Sequence, residues 1–167
     1  MLGIVVTGHG LFAEGIQSSA NMIAGVNENA RYVCFKEGMS TEDLAADLNA
    51  AFAELGHCEG IVVLSDLPGG SPFRTAAECA FANPNQKIVV LSGTNLPMVI
   101  TALSLIAFEE DVDALANELV FEGKEGVVRF ELSVPEAAPE EDEDGISWQL
   151  IGKLFCGPVS PWQRCWR

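Results

Sequence analysis

At 167 residues the chain has the length of one domain with room for a tail, and 49 % hydrophobic against 20 % charged residues suits a globular core. A formal net charge of −15 repels phosphate backbones and anionic lipid, which argues against direct nucleic-acid or membrane-surface binding. No stretch approaches the ~20 apolar residues of a membrane span, and no basic segment precedes the first apolar run, so a signal peptide is not expected and a cytoplasmic location is.

Strand-like and helix-like segments alternate along the chain. Gly3 to Thr7 reads as a first strand, and Leu11 to Ile23 as a helix with Leu11, Phe12, Ile16, Ala20 and Ile23 near helical spacing. Ala30 to Phe35 is a second strand. Ser40 caps the next helix with Asp43 three residues on, and Leu44, Leu48, Phe52 and Leu55 make its apolar stripe. Gly60 to Leu64 is a third strand, apolar throughout rather than alternating. Ser71 reads as a cap, with Pro72 as the first residue of a helix to Ala82. Lys87 to Leu91 is a fourth strand, Leu96-Pro97 opens a helix towards Ala107, and Asp111 to Phe121 is a fifth helix. Val127 to Leu132 is expected as a short last strand. Unalternating apolar strands separated by helices predict an α/β fold, an open, doubly wound, mostly parallel sheet with helices on both faces.

The five cysteines, Cys34, Cys58, Cys79, Cys156 and Cys165, are odd in number and include no CxxC pair. They read as free thiols, buried for Cys34 and Cys79, rather than as a disulfide framework or a zinc site. Pro135 to Asp144 is a Pro/Ala/acidic run expected to be a solvated linker. Ser147 to Arg167 then holds all three tryptophans, two cysteines, three basic residues and no acidic one. The chain therefore divides into a domain over residues 1–132, an acidic linker over 133–146 and a tail over 147–167. The tail is either a docking peptide anchored by Trp148, Trp162 and Trp166 or a translated cloning remnant outside the fold, and the composition break favours the remnant.

The chemistry concentrates after two of the strands. His9 lies in Thr7-Gly8-His9-Gly10, directly after the first apolar run, and the third run ends in Ser65-Asp66-Leu67-Pro68-Gly69-Gly70-Ser71-Pro72. If both runs are parallel strands, His9 and Asp66 stand at the carboxyl edge of one sheet, where open α/β sheets bind ligands. His9 sits between two glycines, so neighbouring side chains do not crowd its ring. Asp66 can accept a hydrogen bond from the ring and hold it in one orientation. The amides of Gly10 and Leu11 open a helix and can hold an anion. Those of Gly69, Gly70 and Ser71 make a second candidate nest ahead of another helix, and the Ser71 hydroxyl either caps that helix or points to the anion.

A blander reading stands beside each of these. A lone histidine is usually a surface or structural residue, Asp66 is by default a cap or turn residue, and Gly-Gly-Ser-Pro is by default a tight turn. Their joint position on one sheet edge favours chemistry. His57 precedes the third strand, falls at the amino edge and reads as structural. Thr94 and Asn95 follow the fourth strand on the active edge, with Asn95 equally a cap for the helix near Pro97.

Three stretches together resemble the IIA component of the mannose–fructose–sorbose group of the bacterial phosphotransferase system, over roughly residues 1–132. They are Gly3-Ile-Val-Val-Thr-Gly-His9-Gly-Leu-Phe-Ala-Glu-Gly, Ser65-Asp66-Leu-Pro-Gly-Gly-Ser-Pro-Phe-Arg74 and Ser92-Gly-Thr-Asn-Leu-Pro-Met98. The resemblance implies that His9 carries a phosphoryl group and that Asp66 lies beside it. It implies a relay in which phospho-HPr phosphorylates His9, and His9 phosphorylates a IIB domain during sugar uptake through the membrane components IIC and IID. No metal or cofactor is implied. The family is dimeric, and Val127 to Leu132 is the segment expected to associate across the subunits. Thr7 to Gly10, Pro72 to Arg74 and the Glu-Asp-Glu-Asp-Gly-Ile ending at Ile146 resemble the N-acetylgalactosamine and galactosamine branch. The family normally stops near Ile146, where this chain continues.

Three rivals stand against this reading. A nucleotide- or flavin-binding module shares the fold, but Gly8-His9-Gly10 lacks the third glycine of a dinucleotide fingerprint and no acidic residue ends the second strand. The phosphoryl-donor subunit of a dihydroxyacetone kinase and a regulatory phospho-switch share the chemistry.

Overall fold

The structure, a computed structural model, describes residues 1–131. Residues 1–128 form one compact unit. Its strands are β1 (Gly3–His9), β2 (Ala30–Phe35), β3 (Gly60–Ser65) and β4 (Lys87–Ser92). Helices α1 (Phe12–Ala24), α2 (Thr41–Glu54) and α3 (Ser71–Ala82) connect them, and α4 (Leu96–Leu105) and α5 (Val112–Glu125) follow. The strands are all parallel, in the order β2-β1-β3-β4. This is the doubly wound sheet that the sequence predicts.

The unbroken apolar runs follow from the layering. Strand side chains alternate faces, and both faces of β1 and β3 are covered. Ile4, Val6, Val62 and Leu64 join the cluster that contains α1, α4 and α5. Val5, Ile61 and Val63 join the opposite cluster with α2 and α3. Each such side chain contributes about 1.5–3 kcal/mol by leaving water, so a polar residue in either central strand would be costly.

Local signals fix the helix starts. Ser40 and Asp43 form the full reciprocal capping box of α2. The Asn95 side chain caps α4 by accepting from the Met98 amide, and Asp111 caps α5. Two expectations are corrected. The cap of α3 is Gly70, not Ser71, which is already helical. Residues 127–131 form no strand. A strand needs a neighbour for its amides and carbonyls, and Val127, Val128 and Phe130 are instead largely exposed. Leu132, the 133–146 linker and the 147–167 tail lie outside the described residues. Among the described residues, Cys34, Cys58 and Cys79 are buried free thiols, and no helix is long and apolar enough to cross a membrane.

Helix α5 runs the length of the sheet. It starts where Lys87, at the head of β4, pairs with Asp111 and Asp113. It ends against the head of α4, where Gly123 packs on Met98 and Gly126 on Pro97. Its buried stripe includes Glu122, which is 2 % exposed and whose carboxyl oxygens have no hydrogen-bond partner. Burial, reinforced by Glu118 and Glu125, pushes that carboxyl above its ordinary range.

Candidate functional site

The strand order places β2 and β3 on opposite sides of β1. The connections leaving β1 and β3 therefore diverge at their carboxyl ends, which opens the crevice where such sheets bind ligands. Strand β1 runs two residues past its predicted end, so His9 is its last residue, and Asp66 follows β3 directly.

Asp66 receives the histidine twice. Its Oδ2 accepts the His9 backbone amide and lies 2.8 Å from the ring Nδ1, also 2.8 Å for the amide. Its Oδ1 accepts the Leu67 amide at 2.7 Å. Partial burial pushes the Asp66 carboxyl up, but the bonds from the His9 amide, the His9 ring and the Leu67 amide outweigh it and hold the carboxyl below its ordinary value. Asp66 is therefore ionised at neutral pH and accepts from Nδ1–H. Nε2 is the ring nitrogen that Asp66 does not hold, on a side chain 46 % exposed. Gly8 makes the approach possible, because a Cβ there would lie 2.9 Å from the Asp66 Cγ and 2.6 Å from Phe12.

The loop after Asp66 is a tight turn. The Gly70 amide donates to the Leu67 carbonyl at 3.2 Å, Pro68 holds the second position, and Gly69 takes the third with φ +74°. That is the residue logic of a type II turn. A second loop clamps the base of the site from β4. The amide and hydroxyl of Thr94 both donate to the Ser65 carbonyl, at 3.1 and 2.7 Å, and the Gly93 amide donates to the Asp66 carbonyl at 3.2 Å.

The candidate anion donors divide. Gly10 supplies a left-handed φ of +59°, but its amide donates to the Phe35 carbonyl at 2.8 Å. The Gly70 amide is likewise engaged in its turn, so these two of the expected anion donors already have backbone acceptors. Leu11 and Ser71 sit at the heads of α1 and α3, where amides lack intrahelical acceptors. The Ser71 hydroxyl makes no cap. Phe35, not anticipated as a site residue, meets the His9 ring edge-on, with centroids 6.0 Å apart and planes at 66°. The signal for it is the parallel register that opposes His9 to Phe35, which becomes visible only once the strand order is known. His57 lies away from this edge and meets Asn29. A groove of about 410 Å³ along β2, between Glu14, Lys36 and Asp47, includes neither His9 nor Asp66. The His9 side chain stands half-exposed at this edge.

Residues 3–120 match the family described as PTS system fructose IIA component. The chain is 32 % identical over 139 residues to the mannose-specific EIIAB component of Escherichia coli K12, covering 83 % of this chain and 42 % of that protein. It thus spans less than half the length of that relative. It is 30 % identical over 105 residues to the fructose-specific EIIA component of Bacillus subtilis strain 168, covering 63 % of this chain and 70 % of the other. The crystal structure of phosphotransferase system component EIIA from Streptococcus agalactiae superposes with a TM-score of 0.71 at 36 % identity, over 77 % of this chain and 97 % of that one. The mannose/sorbose-specific IIA subunit from Enterococcus faecalis gives 0.70 at 31 % identity, over 81 % and 98 %. On the family match over residues 3–120 and these relatives, the chain belongs to the mannose/fructose/sorbose family of phosphotransferase system IIA components.

Proposed function

We propose that the chain is a cytoplasmic phosphocarrier that takes a phosphoryl group from phospho-HPr on His9 and passes it to a IIB domain during uptake of a hexose or amino sugar. The observation that carries this reading is the 2.8 Å bond between His9 Nδ1 and Asp66 Oδ2, which fixes the ring and leaves Nε2 free on an exposed edge. Nε2 attacks the phosphorus of the donor phosphohistidine. The new P–N bond forms as the donor's P–N bond breaks, and that electron pair leaves with the donor imidazole. His9 keeps its Nδ1 proton, so its ring becomes positive against the Asp66 carboxylate. The reverse displacement delivers the group to IIB. Two imidazoles of similar basicity exchange the group without metal or cofactor, and the protein's work is positioning and charge stabilisation.

The amides of Leu11, Gly69 and Ser71, with the Ser71 hydroxyl, are the donors assigned to the phosphoryl oxygens. The membrane partners IIC and IID choose the sugar, and relatives named for mannose and fructose support a hexose. The working domain spans residues 1–132 and forms a homodimer through residues 127–132. The edge position of β4 and the exposure of Val127, Val128 and Phe130 support that pairing.

Incubation with phosphoenolpyruvate, enzyme I and HPr tests the reading by intact mass. Wild type and His57→Ala should each gain a single acid-labile phosphoryl group, and His9→Ala should gain none. Acid-labile phosphate on His9→Ala would overturn it.

A further inference from the structure

Gly70 has φ −67° and ψ 166°, a conformation open to any residue. A Cβ there would nevertheless lie 2.9 Å from His9 Cε1, 3.3 Å from the Leu67 carbonyl oxygen and 3.6 Å from His9 Nε2. Gly10 and Gly69 are the opposite case. Both have positive φ, and a Cβ on either would meet nothing within 4 Å. Those two glycines serve the backbone, whereas at Gly70 the dihedral angles give no reason for glycine, and the nearest atom a Cβ would meet belongs to the imidazole, ahead of the Leu67 carbonyl oxygen.

We infer that Gly70 is a positioning residue for phosphoryl transfer, whose missing side chain reserves the space beside the Cε1–Nε2 edge of His9. The inference rests on the reading of His9 as the phosphoryl carrier. The ring has little freedom to yield. Nδ1 is bonded to Asp66 at 2.8 Å, and Phe35 stands edge-on to it. A methyl group at position 70 must therefore tilt the ring off Asp66. It also intrudes on the reactive nitrogen. At 3.6 Å from Nε2 it would be in ordinary contact with the bare atom, and inside the shell that oxygens on an Nε2-bound phosphorus would fill.

Gly70→Ala and Gly70→Ser in the full chain test this, because Gly70 also caps α3. Serine is a strong helix cap and alanine a poor one. A purely structural Gly70 would make serine equal or better than glycine in melting temperature and leave transfer intact in both variants. The inference expects both to melt close to wild type, and both to accept phosphoryl from phospho-HPr about 100-fold more slowly, the cost of misplacing a reacting atom by about 1 Å. The ring ¹⁵N shifts of His9, measured without any donor, should move from the wild-type values in both. Wild-type transfer and unchanged shifts in both variants would overturn the inference, as would a transfer loss that merely follows a loss of melting temperature. A wild-type protein that accepts no phosphoryl group would overturn the phosphocarrier reading instead, while the ring shifts still decide whether Gly70 sets the ring.

Discussion

The chain has two histidines, and one sheet carries them at opposite ends. His9 ends β1 at the carboxyl edge, and His57 precedes β3 at the amino edge. Both are exposed, so solvent access does not separate them. Their partners do. His57 Nε2 lies 2.9 Å from Asn29 Oδ1, whereas His9 Nδ1 meets the ionised carboxylate of Asp66. A neutral amide can orient a ring. A carboxylate can orient it and also stabilise a positively charged ring. The nitrogens are also reversed, because Asn29 occupies the Nε2 that His9 leaves free. What sets His9 apart is charge and crevice rather than the imidazole itself.

Removing the charge difference gives the largest expected effect. Asp66→Asn should keep the fold but slow phosphoryl transfer about 10- to 1000-fold, the range for losing an orienting or electrostatic partner. Stopped transfer assays with phospho-HPr read this directly, and unchanged rates would reduce Asp66 to a turn residue. Stability adds a pH signature. The folded Asp66 carboxyl titrates below its ordinary 3.8, so the unfolded chain binds the proton first as pH falls. The stability that the pairing contributes is complete above that value and is lost as pH falls through the folded one. The gap in urea midpoint between wild type and Asp66→Asn should therefore close on acidification below pH 3.8.

Glu122 sharpens the point, as an acid given no partner where Asp66 is given four donors. Its carboxyl lies above its ordinary 4.5, so stability is intact below that value and is lost as pH rises through the folded value. Glu122→Leu should stabilise the protein at pH 7.5 by about 1–3 kcal/mol, the cost of an unmet buried polar group. The gain should shrink at pH 4.5, and denaturant midpoints at the two pH values would check it.

Two changes should leave transfer untouched. Asn29→Asp gives His57 a carboxylate partner, and intact mass after incubation with phospho-HPr reads the result. His57 should still take no phosphoryl group, since it lacks the crevice. Phosphate appearing there would mean that a carboxylate alone suffices. Deleting residues 147–167 lowers the basic count from 9 to 6 against 24 acidic residues and moves the net charge from −15 to −18. Transfer and oligomeric state should not change, and solubility should hold or improve as tryptophans and thiols are removed. A monomeric truncation, or one unable to phosphorylate IIB, would make the tail a real interaction element.

What could be read from the sequence was local or periodic. The apolar runs at Gly60–Leu64 and Gly3–Thr7 announce a sheet buried on both faces, and Ser40, Asp43 and Asn95 announce their caps through short-range hydrogen bonds. The pairing of His9 with Asp66 follows once both runs are parallel strands. What escaped depends on distant partners. The Gly10 amide is taken by a carbonyl on β2, and Phe35 reaches the ring through the register of that strand. Ser71 looks like a cap because proline follows it, yet the Leu67–Gly70 turn brings the helix in one residue earlier. A strand over Val127–Leu132 is an apolar pattern without a neighbour to bond it among the described residues.

The bond between His9 and Asp66 joins residues 57 apart in sequence. Between them in the chain lie α1, β2, α2 and β3, and the carboxylate arrives only when β3 pairs with β1. A growing or half-folded chain therefore contains the histidine without its partner. Such long-range pairings form late relative to local helices. The oriented state of His9 then belongs to the assembled sheet, and under the proposed function the rate of phosphoryl uptake would double as a measure of how much of the population has finished folding.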